Sequence, residues 1–485
     1  MKNYPFKYFI TVFSAALLLF CVSLAVSGRY SVTAYMTDGE EADLSSGEYY
    51  AINGSKKTAP VSGDIYMISA NGIEYVGTAP ETDVPDEYAG GGGLVYDDGR
   101  VSIPTNTIYV GLRYFLSSSR DSSVKSANLE NAVGSGYEFG YFDDDRDFVA
   151  LDSTEETRIT MRPISGAGIG VFVTGTDVLL YRADFTDAAN MLAVRPISGR
   201  QEAVTWFAGN KYYGSFAYAA AGKDGVSVTN IVDVEKYVMG VCAKEMNEDY
   251  PLEALKAQAV AARTYAANNI TNSLYYYNCG FDVTADTYCQ AYSGCGDVGQ
   301  KVIEAVNSTE NQYLTYEGAL CDAQYFSADG GGTESNVNVN GNDFHPYLTG
   351  VIDPYEAACS DVNYYSSWTY SFTSSVLGAK AGLTDVAAVS AEYSDTGNVI
   401  RLTLTSSQGK TVALSLGNCR TALGLPSMHY TVDKVNGNFV FTGSGWGHSL
   451  GMSQYGARAM AEYYDKTYKD ILGFYYTGVG LSFGY

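Results

Sequence analysis

At 485 residues, the chain is long enough for two or three domains of ordinary size. Its 54 acidic residues against 30 basic ones give a net charge of −24, so we expect no nucleic-acid partner, because phosphates would repel it. Apolar residues make up 46% and charged residues 17% of the chain, which excludes a largely disordered protein. The 43 tyrosines beside only 11 prolines are typical of a β-rich, extracytoplasmic protein.

The N-terminus predicts export. Lys2 and Lys7 precede an uncharged run over residues 8–26, YFITVFSAALLLFCVSLAV. About twenty apolar residues cross a bilayer as a helix, and flanking basic residues stay in the cytoplasm. Residues 1–28 therefore predict a signal sequence or a membrane anchor. The small residues before Gly28 would permit cleavage, whereas the length of the run favours an uncleaved anchor. Either way, we expect the rest of the chain outside the cytoplasm, anchored to the membrane or secreted.

The rest of the chain divides by composition into two regions. Residues 29–104 predict a small strand-rich region that ends in a flexible linker with four consecutive glycines at 90–93. Residues 105–485 predict the main domain, as one body or two lobes. Its short strands flank one compact helical segment and do not alternate with helices. This pattern predicts an α+β fold, with a mainly antiparallel β body and an inserted helical pair.

The helical pair lies at residues 233–272 and contains a notable glutamate. Its first helix carries an apolar stripe at spacings of three and four residues: Val234, Tyr237, Val238, Val241 and Cys242. A turn follows, and Pro251 stands at a natural first position of the second helix. Glu245 falls in the last turn of the first helix, where the helix dipole opposes a negative charge. Its ionised form is therefore expected to be disfavoured.

Four segments in order carry a resemblance to a known family: VTNIVDVEKYVMGVCAKEM, PLEALKAQAVAARTYA, CDAQYFSADGGGTESN and GSGWGHSLGMSQYGARAMA. The chain resembles the stage II sporulation protein D family, which includes lytic transglycosylases and amidase enhancers. The resemblance covers roughly residues 105–485. It implies that the partner of the protein is the glycan strand of peptidoglycan, and that Glu245 is the single catalytic residue.

The implied reaction fits a single carboxylate. Hydrolysing glycosidases use two carboxylates, but a lytic enzyme uses the 6-hydroxyl of N-acetylmuramic acid as an internal nucleophile. Glu245 would first protonate the leaving oxygen and then deprotonate that hydroxyl, which gives a 1,6-anhydro product. The alternative is a non-catalytic wall-binding protein that stimulates a partner cell-wall amidase.

The resemblance also implies substrate-binding residues on three segments. They are Gln258 and Arg263 on the second helix, Ser327, Gly330 and Gly331 in the FSADGG loop, and His448, Gln454 and Tyr455 in the last segment. Ordinary interhelix bonding is the alternative for the first two, and a plain tight turn for the glycines. For Trp446, in the last segment, we expect a place in the packed core, and a sugar platform is the alternative. Ser449 stands where the family has a glycine.

The sequence predicts no cofactor and no metal site. Family members often carry a zinc-binding stretch, but FDVTADTYCQ keeps only Cys289 and Gln290 of it, with Thr284 and Tyr288 where other ligands would stand. Seven cysteines follow the N-terminal run, an odd number that cannot all pair within one chain. We expect one or two disulfides, with Cys279, Cys289 and Cys295 as the candidates.

Overall fold

A computed structural model describes residues 99–484, except 166–167, 185–190, 223, 273–278 and 342–344, and before them residue 94 and four short strands. Compact unit 1 comprises Met1–Glu87 with Glu462–Asp465, and unit 2 comprises Tyr88–Ala461 with Lys466–Tyr485. The four strands of unit 1 form two antiparallel pairs: β1 (Thr33–Tyr35) with β2 (Glu41–Asp43), and β3 (Gly63–Ser69) with β4 (Gly72–Ala79). The predicted membrane segment, 8–26, lies outside the described residues. Within the described part, no helix is both long and apolar enough to cross a bilayer.

Unit 2 is built on a seven-stranded sheet. In spatial order its strands are β11 (Phe148–Thr154), β10 (Tyr137–Phe142), β15 (Leu192–Pro196), β18 (Ser215–Ala221), β19 (Gly225–Asp233), β6 (Thr107–Arg113) and β20 (Val283–Thr284). Every neighbouring pair is antiparallel except β6 with β20. The central strands are the apolar ones, since seven of the nine residues of β19 are buried.

A second sheet has six antiparallel strands, in the order β14 (Leu179–Ala183), β13 (Ile169–Val173), β12 (Arg158–Pro163), β9 (Ala127–Asn131), β16 (Thr205–Phe207) and β17 (Asn210–Tyr212). A four-stranded sheet has the order β22 (Ala319–Leu320), β21 (Gln312–Tyr316), β31 (Gly480–Gly484) and β5 (Arg100–Val101). A separate hydrophobic cluster, with Leu377, Leu402 and Phe441 at its centre, joins the two three-stranded sheets. These are β24 (Trp368–Phe372), β29 (Asn438–Gly443) and β28 (Tyr430–Val435), and β25 (Ala388–Tyr393), β26 (Val399–Thr405) and β27 (Thr411–Ser415).

Two short strand pairs remain: β7 (Phe115–Ser117) with β8 (Arg120–Asp121), and β23 (Tyr325–Phe326) with β30 (Met452–Ser453). The described residues contain eight α-helices: α1 (Val234–Glu245), α2 (Leu252–Asn272), α3 (Gln300–Ser308), α4 (Asn336–Asn340), α5 (Ser374–Ala381), α6 (Asn418–Thr421), α7 (Gln454–Tyr463) and α8 (Tyr468–Tyr475). The predicted α+β class, with strands predominating, is confirmed.

The helices α1 and α2 follow β19 and precede β20 in the chain. Asp233 caps α1, because its side chain accepts hydrogen bonds from the backbone N–H groups of Glu235 and Lys236. All five residues of the predicted apolar stripe are buried. Helix α2 is lined with buried alanines, whose small side chains let its neighbours approach closely. Helix α1 ends at Glu245, so this side chain lies at the corner between the two helices.

The expectation of disulfides among three cysteines is wrong. Cys279, Cys289 and Cys295 are half-buried free thiols. Burial raises the pKa of the Cys279 and Cys295 thiols, which keeps them protonated and unreactive. The short spacing of the three along the chain had suggested pairing, but disulfides need a specific geometry that spacing does not supply.

Candidate functional site

Glu245 is held by groups from two distant parts of the chain. Its side chain is half-buried at the end of α1. The backbone N–H of Ala291 donates to Oε1 over 2.9 Å, and Nε2 of Gln454 donates to Oε2 over 3.1 Å. Both carboxylate oxygens are thus oriented by a hydrogen bond. The structure therefore brings the predicted residues Glu245 and Gln454 together.

Burial raises the pKa of the Glu245 carboxyl above its ordinary value. The two hydrogen bonds and the charge of Lys244 act in the opposite direction, because they favour the ionised form, but burial outweighs them. The sequence predicted that burial at a helix end would raise this pKa, and removal from water is the largest cause in the structure. A carboxyl that holds its proton to higher pH is suited to general acid catalysis.

Gln258 completes this group from α2. It is fully buried, and its Oε1 accepts a hydrogen bond from Nε2 of Gln454 at 3.5 Å. The amide of Gln454 therefore bridges Gln258 and Glu245. The Nε2 atom of Gln258 has no hydrogen-bond partner among the described residues, and an unsatisfied buried donor carries a free-energy cost. Of the two α2 residues predicted for the site, Gln258 is the one linked to Glu245, through Gln454.

Three residues that sequence reasoning did not select hold the Ala291 segment in place. Gln290 accepts a hydrogen bond from the Tyr237 hydroxyl at 3.1 Å and donates to the Tyr325 hydroxyl at 2.9 Å. These bonds fix the backbone at Gln290, and hence the N–H of the next residue, Ala291, which points at Glu245. Gln290 stood out in the sequence only as the remnant of a metal-binding stretch, and a backbone donor leaves no signal in a sequence.

Arg263, the other α2 residue predicted for the site, binds Glu235 and not Glu245. Its side chain is fully buried and donates through Nε and Nη2 to the two carboxylate oxygens of Glu235, over 2.7 and 2.6 Å. It also donates to the backbone carbonyls of Val306 and Gln312. An Arg side chain engaged in this way is a structural link between α1, α2 and the following segments. The placement supports interhelix bonding, the alternative that the sequence left open, and gives no support to substrate binding.

The FSADGG loop follows β23 and runs beside the start of α7. The Ser327 carbonyl accepts a hydrogen bond from the backbone N–H of Tyr455 at 3.0 Å. The N–H groups of Gly330 and Gly331 donate to carboxylates of Glu356 and Asp329. Since both N–H groups are already used inside the protein, the structure does not support their contact with a sugar. Gly330 has φ 75°, and a Cβ there would lie 2.5 Å from Ser444, so only glycine fits.

His448 is engaged through both ring nitrogens. Nε2 donates to the Tyr325 carbonyl at 3.0 Å, and Nδ1 accepts from the Leu450 N–H at 3.1 Å. Burial lowers the pKa of His448 to about 4, so the ring is neutral near pH 7. It therefore links two backbone segments and has no nitrogen left for substrate. Ser449, where the family has glycine, adopts φ 68°, the left-handed conformation that glycine favours.

Tyr455, in α7, is half-buried, and Trp446, in the loop before it, is exposed. The Tyr455 hydroxyl donates to the Val362 carbonyl at 3.3 Å, and its ring packs against that of Tyr250. The expectation that Trp446 lies in the packed core is wrong. Its side chain is 42% exposed, and its indole ring stacks on Tyr365 with centroids 4.5 Å apart.

Asp329, Asp353 and Glu356 form a buried carboxylate cluster beneath this loop. One oxygen from each lies within 4.8 Å of the others, which makes them the candidate metal ligands in the described chain. A carboxylate has about four lone-pair positions. Those of Glu356 are taken by four donors: the N–H groups of Asp329 and Gly330, Asn363 Nδ2 and Ser453 Oγ. The oxygens of Asp353 accept three: the N–H groups of Tyr355 and Glu356, and the Tyr475 hydroxyl.

Oδ2 of Asp329 is the carboxylate oxygen of the cluster without a hydrogen-bond donor. A cation would therefore find one largely open carboxylate, Asp329, one with three positions taken, Asp353, and one fully taken, Glu356. A proton shared by Asp329 and Asp353 fits this arrangement better. Burial, reinforced by the negative charges of Asp353 and Glu356, raises the pKa of Asp329 far above its ordinary value, and burial raises that of Glu356 to about 7. That the protein binds no metal stays a prediction.

Comparison with known proteins matches the part of the chain that carries Glu245. The family model for the stage II sporulation protein matches residues 222–316, which include α1, α2 and Ala291. An uncharacterized protein of Brachyspira hyodysenteriae is 37% identical over 284 residues, 56% of this chain and 73% of its own length. The stage II sporulation protein D of Bacillus subtilis is 32% identical over 269 residues, 53% of this chain and 76% of its own. The amidase enhancer of Bacillus subtilis is 30% identical over 292 residues, 50% of this chain but 40% of its own.

Proposed function

The chain belongs to the stage II sporulation protein D family, and on that premise we propose that it is a lytic transglycosylase that cleaves the glycan strands of peptidoglycan. Membership of this family indicates a role related to the cell wall. The substrate would be the bond between N-acetylmuramic acid and N-acetylglucosamine. Work at the wall requires a location outside the cytoplasm, and attachment to the membrane through residues 8–26 stays a prediction.

The observation that carries the proposal is the environment of Glu245. One half-buried carboxyl has a raised pKa, and both of its oxygens are oriented by hydrogen bonds from Ala291 and Gln454. Such a group is protonated at a pH where ordinary glutamates are ionised, so it is able to donate a proton to the leaving glycosidic oxygen. The bond from C1 of muramic acid to that oxygen then breaks.

The second half of the reaction uses the same residue. Glu245, now ionised, removes the proton of the muramic acid 6-hydroxyl, and the bond from that oxygen to C1 closes the 1,6-anhydro ring. Donors from Ala291 and Gln454 stabilise the carboxylate in this step, because hydrogen bonds to an ionised group are stronger than neutral ones. One carboxyl thus acts as acid and then as base, and returns protonated for the next cycle.

The second candidate function is a non-catalytic enhancer of a partner amidase. The similarity to the amidase enhancer of Bacillus subtilis favours it, although this chain spans only 40% of that protein. In this alternative the site binds glycan and Glu245 serves binding or stability.

One experiment distinguishes the two candidate functions. The purified protein is incubated with peptide-free glycan strands, and the products are identified by mass spectrometry. Products that end in 1,6-anhydro-muramic acid support the lytic transglycosylase. Unaltered strands that co-sediment with the protein would contradict it and support the enhancer.

A further inference from the structure

Trp446 and Tyr365 form a rigid aromatic pair at the surface. Their rings are stacked, with an interplanar angle of 28° and a centroid distance of 4.5 Å. The backbone holds them together as well, since the Gly445 N–H donates to the Tyr365 carbonyl at 2.8 Å. The neighbouring Tyr364, 86% exposed, meets the Tyr365 ring edge to face. With one face on Tyr365 and 42% of its surface exposed, the indole is fixed and open to solvent.

This pair is continuous with the site around Glu245. Trp446 forms an antiparallel bridge with Ala328, with hydrogen bonds of 2.7 and 3.1 Å. The residue before Ala328, Ser327, accepts from the backbone of Tyr455, and the adjacent Gln454 donates to Glu245. Trp446 and Gln454 also belong to the same segment of the chain, so the segment that presents the indole is the one that supplies a hydrogen bond to Glu245.

We propose that Trp446, supported by Tyr365, is a sugar-stacking subsite that binds a pyranose ring of the same glycan strand that reaches Glu245. A pyranose presents a face of C–H groups that packs against a flat aromatic ring, and the polar indole N–H remains for a hydroxyl. Stacking requires no positive charge, which suits a protein of net charge −24. A ring already immobilised by Tyr365 loses little entropy when the ligand binds. The inference rests on the proposed function, because the ligand is the same glycan.

A second exposed tryptophan provides a matched control. Trp206 is 39% exposed, close to the value for Trp446, but it lies in β16 of the six-stranded sheet, beside Lys211. Unlike Trp446, it is not part of the segment that supplies Gln454 to Glu245. If exposure of an indole alone caused glycan binding, the two tryptophans would contribute equally.

The test measures binding separately from cleavage. In the Glu245→Gln background, affinity for peptide-free glycan strands is measured by isothermal titration calorimetry. Trp446→Ala is expected to weaken binding about tenfold, and Trp206→Ala to leave it unchanged. Trp446→Tyr keeps a ring and should retain most of the affinity. If Trp446→Ala disturbs the fold, Trp446→Leu replaces it, because leucine keeps a large apolar side chain but has no ring on which a sugar could stack.

The outcomes distinguish this inference from the proposed function. If Trp446→Ala, or Trp446→Leu in its place, binds as tightly as its parent, the subsite is wrong, whether or not the wild type cleaves the strands. If the wild type releases no anhydro product while Trp446→Ala still weakens binding, the lytic activity is wrong and the subsite stands. Equal loss in Trp206→Ala and Trp446→Ala would overturn the subsite as a specific contact.

Discussion

Gln454, the first residue of α7, donates a hydrogen bond to Glu245, the last residue of α1, across 209 positions of the sequence. The contact joins two of the four segments that carry the family resemblance. Oxygen Oε2 of Glu245 is thereby oriented from α7, while Oε1 is oriented by Ala291. A reaction at Glu245 should therefore depend on α7 as well as on α1.

The first prediction concerns Glu245 itself. Glu245→Gln keeps the shape and one hydrogen-bond donor but has no proton to transfer to the leaving oxygen. General acid–base catalysis is worth about 10² to 10⁴ in rate, and a residue that serves both steps should lie at the upper end. Turnover of glycan strands, measured as release of anhydro ends, is expected to fall at least about a thousandfold, with glycan binding retained.

Two nearby glutamates serve as controls. Glu248 is exposed and accepts a hydrogen bond from the Lys301 N–H, and Glu253 pairs with Lys256 on α2. Glu248→Gln and Glu253→Gln should each change turnover less than about tenfold, since neither carboxylate has a hydrogen bond to Glu245 among the described residues and such surface and half-buried pair interactions are weak. A Glu245→Gln variant that kept more than about a tenth of wild-type turnover would leave the enhancer as the better function.

The second prediction concerns the pH dependence of catalysis. The protonated form of Glu245 is the general acid, so activity is lost as the pH rises through its raised pKa. Gln454→Leu removes a donor that favours the ionised form, so the pKa of Glu245 rises further. The alkaline limb of kcat/KM against pH is therefore expected to move to higher pH, with a maximum rate lowered about tenfold.

Tyr455→Phe is the control for that profile. It removes a hydroxyl that bonds to Val362 and has no contact with Glu245 among the described residues, so its alkaline limb should coincide with the wild-type limb. If the alkaline limb of Gln454→Leu lies at the same pH as in the wild type or at a lower pH, the amide of Gln454 does not stabilise the Glu245 carboxylate.

The third prediction concerns the buried carboxylate cluster. The pKa of Asp329 is raised on folding, so its contribution to stability is fully present below the pKa of the unfolded chain and is lost as the pH rises toward the folded pKa. The side-chain amide that Asp329→Asn introduces is able to donate to Asp353 but does not titrate. The variant should therefore gain stability over the wild type as the pH rises above about 4, by up to about 1.4 kcal/mol per pH unit.

Urea denaturation at several pH values measures this difference in the free energy of unfolding. Asp361→Asn, which removes an exposed carboxylate five residues after Glu356, is the matched control. A constant difference between Asp329→Asn and the wild type across the pH range would argue against a shared proton. Stabilisation of the wild type by added Ca²⁺ or Mg²⁺, absent in Asp329→Asn, would indicate a cation instead.

The fourth prediction separates stability from binding at Arg263. Arg263→Lys loses the bidentate bond to Glu235 and is expected to lower the free energy of unfolding by about 3 kcal/mol. The affinity of the folded protein for glycan should not change. Arg158→Lys, in the exposed pair with Glu130, should cost less than about 1 kcal/mol. A stable Arg263→Lys variant with weakened glycan binding would restore the substrate-binding role that the resemblance implies.

Local patterns in the sequence accounted for much of the scaffold. The apolar stripe of α1 follows from helical periodicity, because side chains three or four positions apart share a face whatever lies beyond it. The turn and Pro251 that follow predicted that the helix ends close to Glu245. The α+β class followed from the order of strands and helices. The resemblance placed Gln258 and Gln454 at the site. Gln454 bonds to Glu245, and Gln258 is linked to it through Gln454.

The hydrogen-bond partners of the site residues and their exposure to solvent depended on tertiary contacts, which no local pattern in the sequence encodes. The Ala291 N–H is a backbone group and leaves no trace in residue identity, while His448 lost its expected role because both of its nitrogens bind backbone. Trp446 is exposed although tryptophan is usually well buried.

The sequence by itself thus determined which carboxyl ends a helix. The tertiary structure decided what surrounds that carboxyl. Burial is the larger cause of the raised pKa of Glu245, and it requires segments from residues 291 and 454 to pack over the end of α1. Removal from water depends on every neighbour in space, and those neighbours are fixed only when the whole chain has folded.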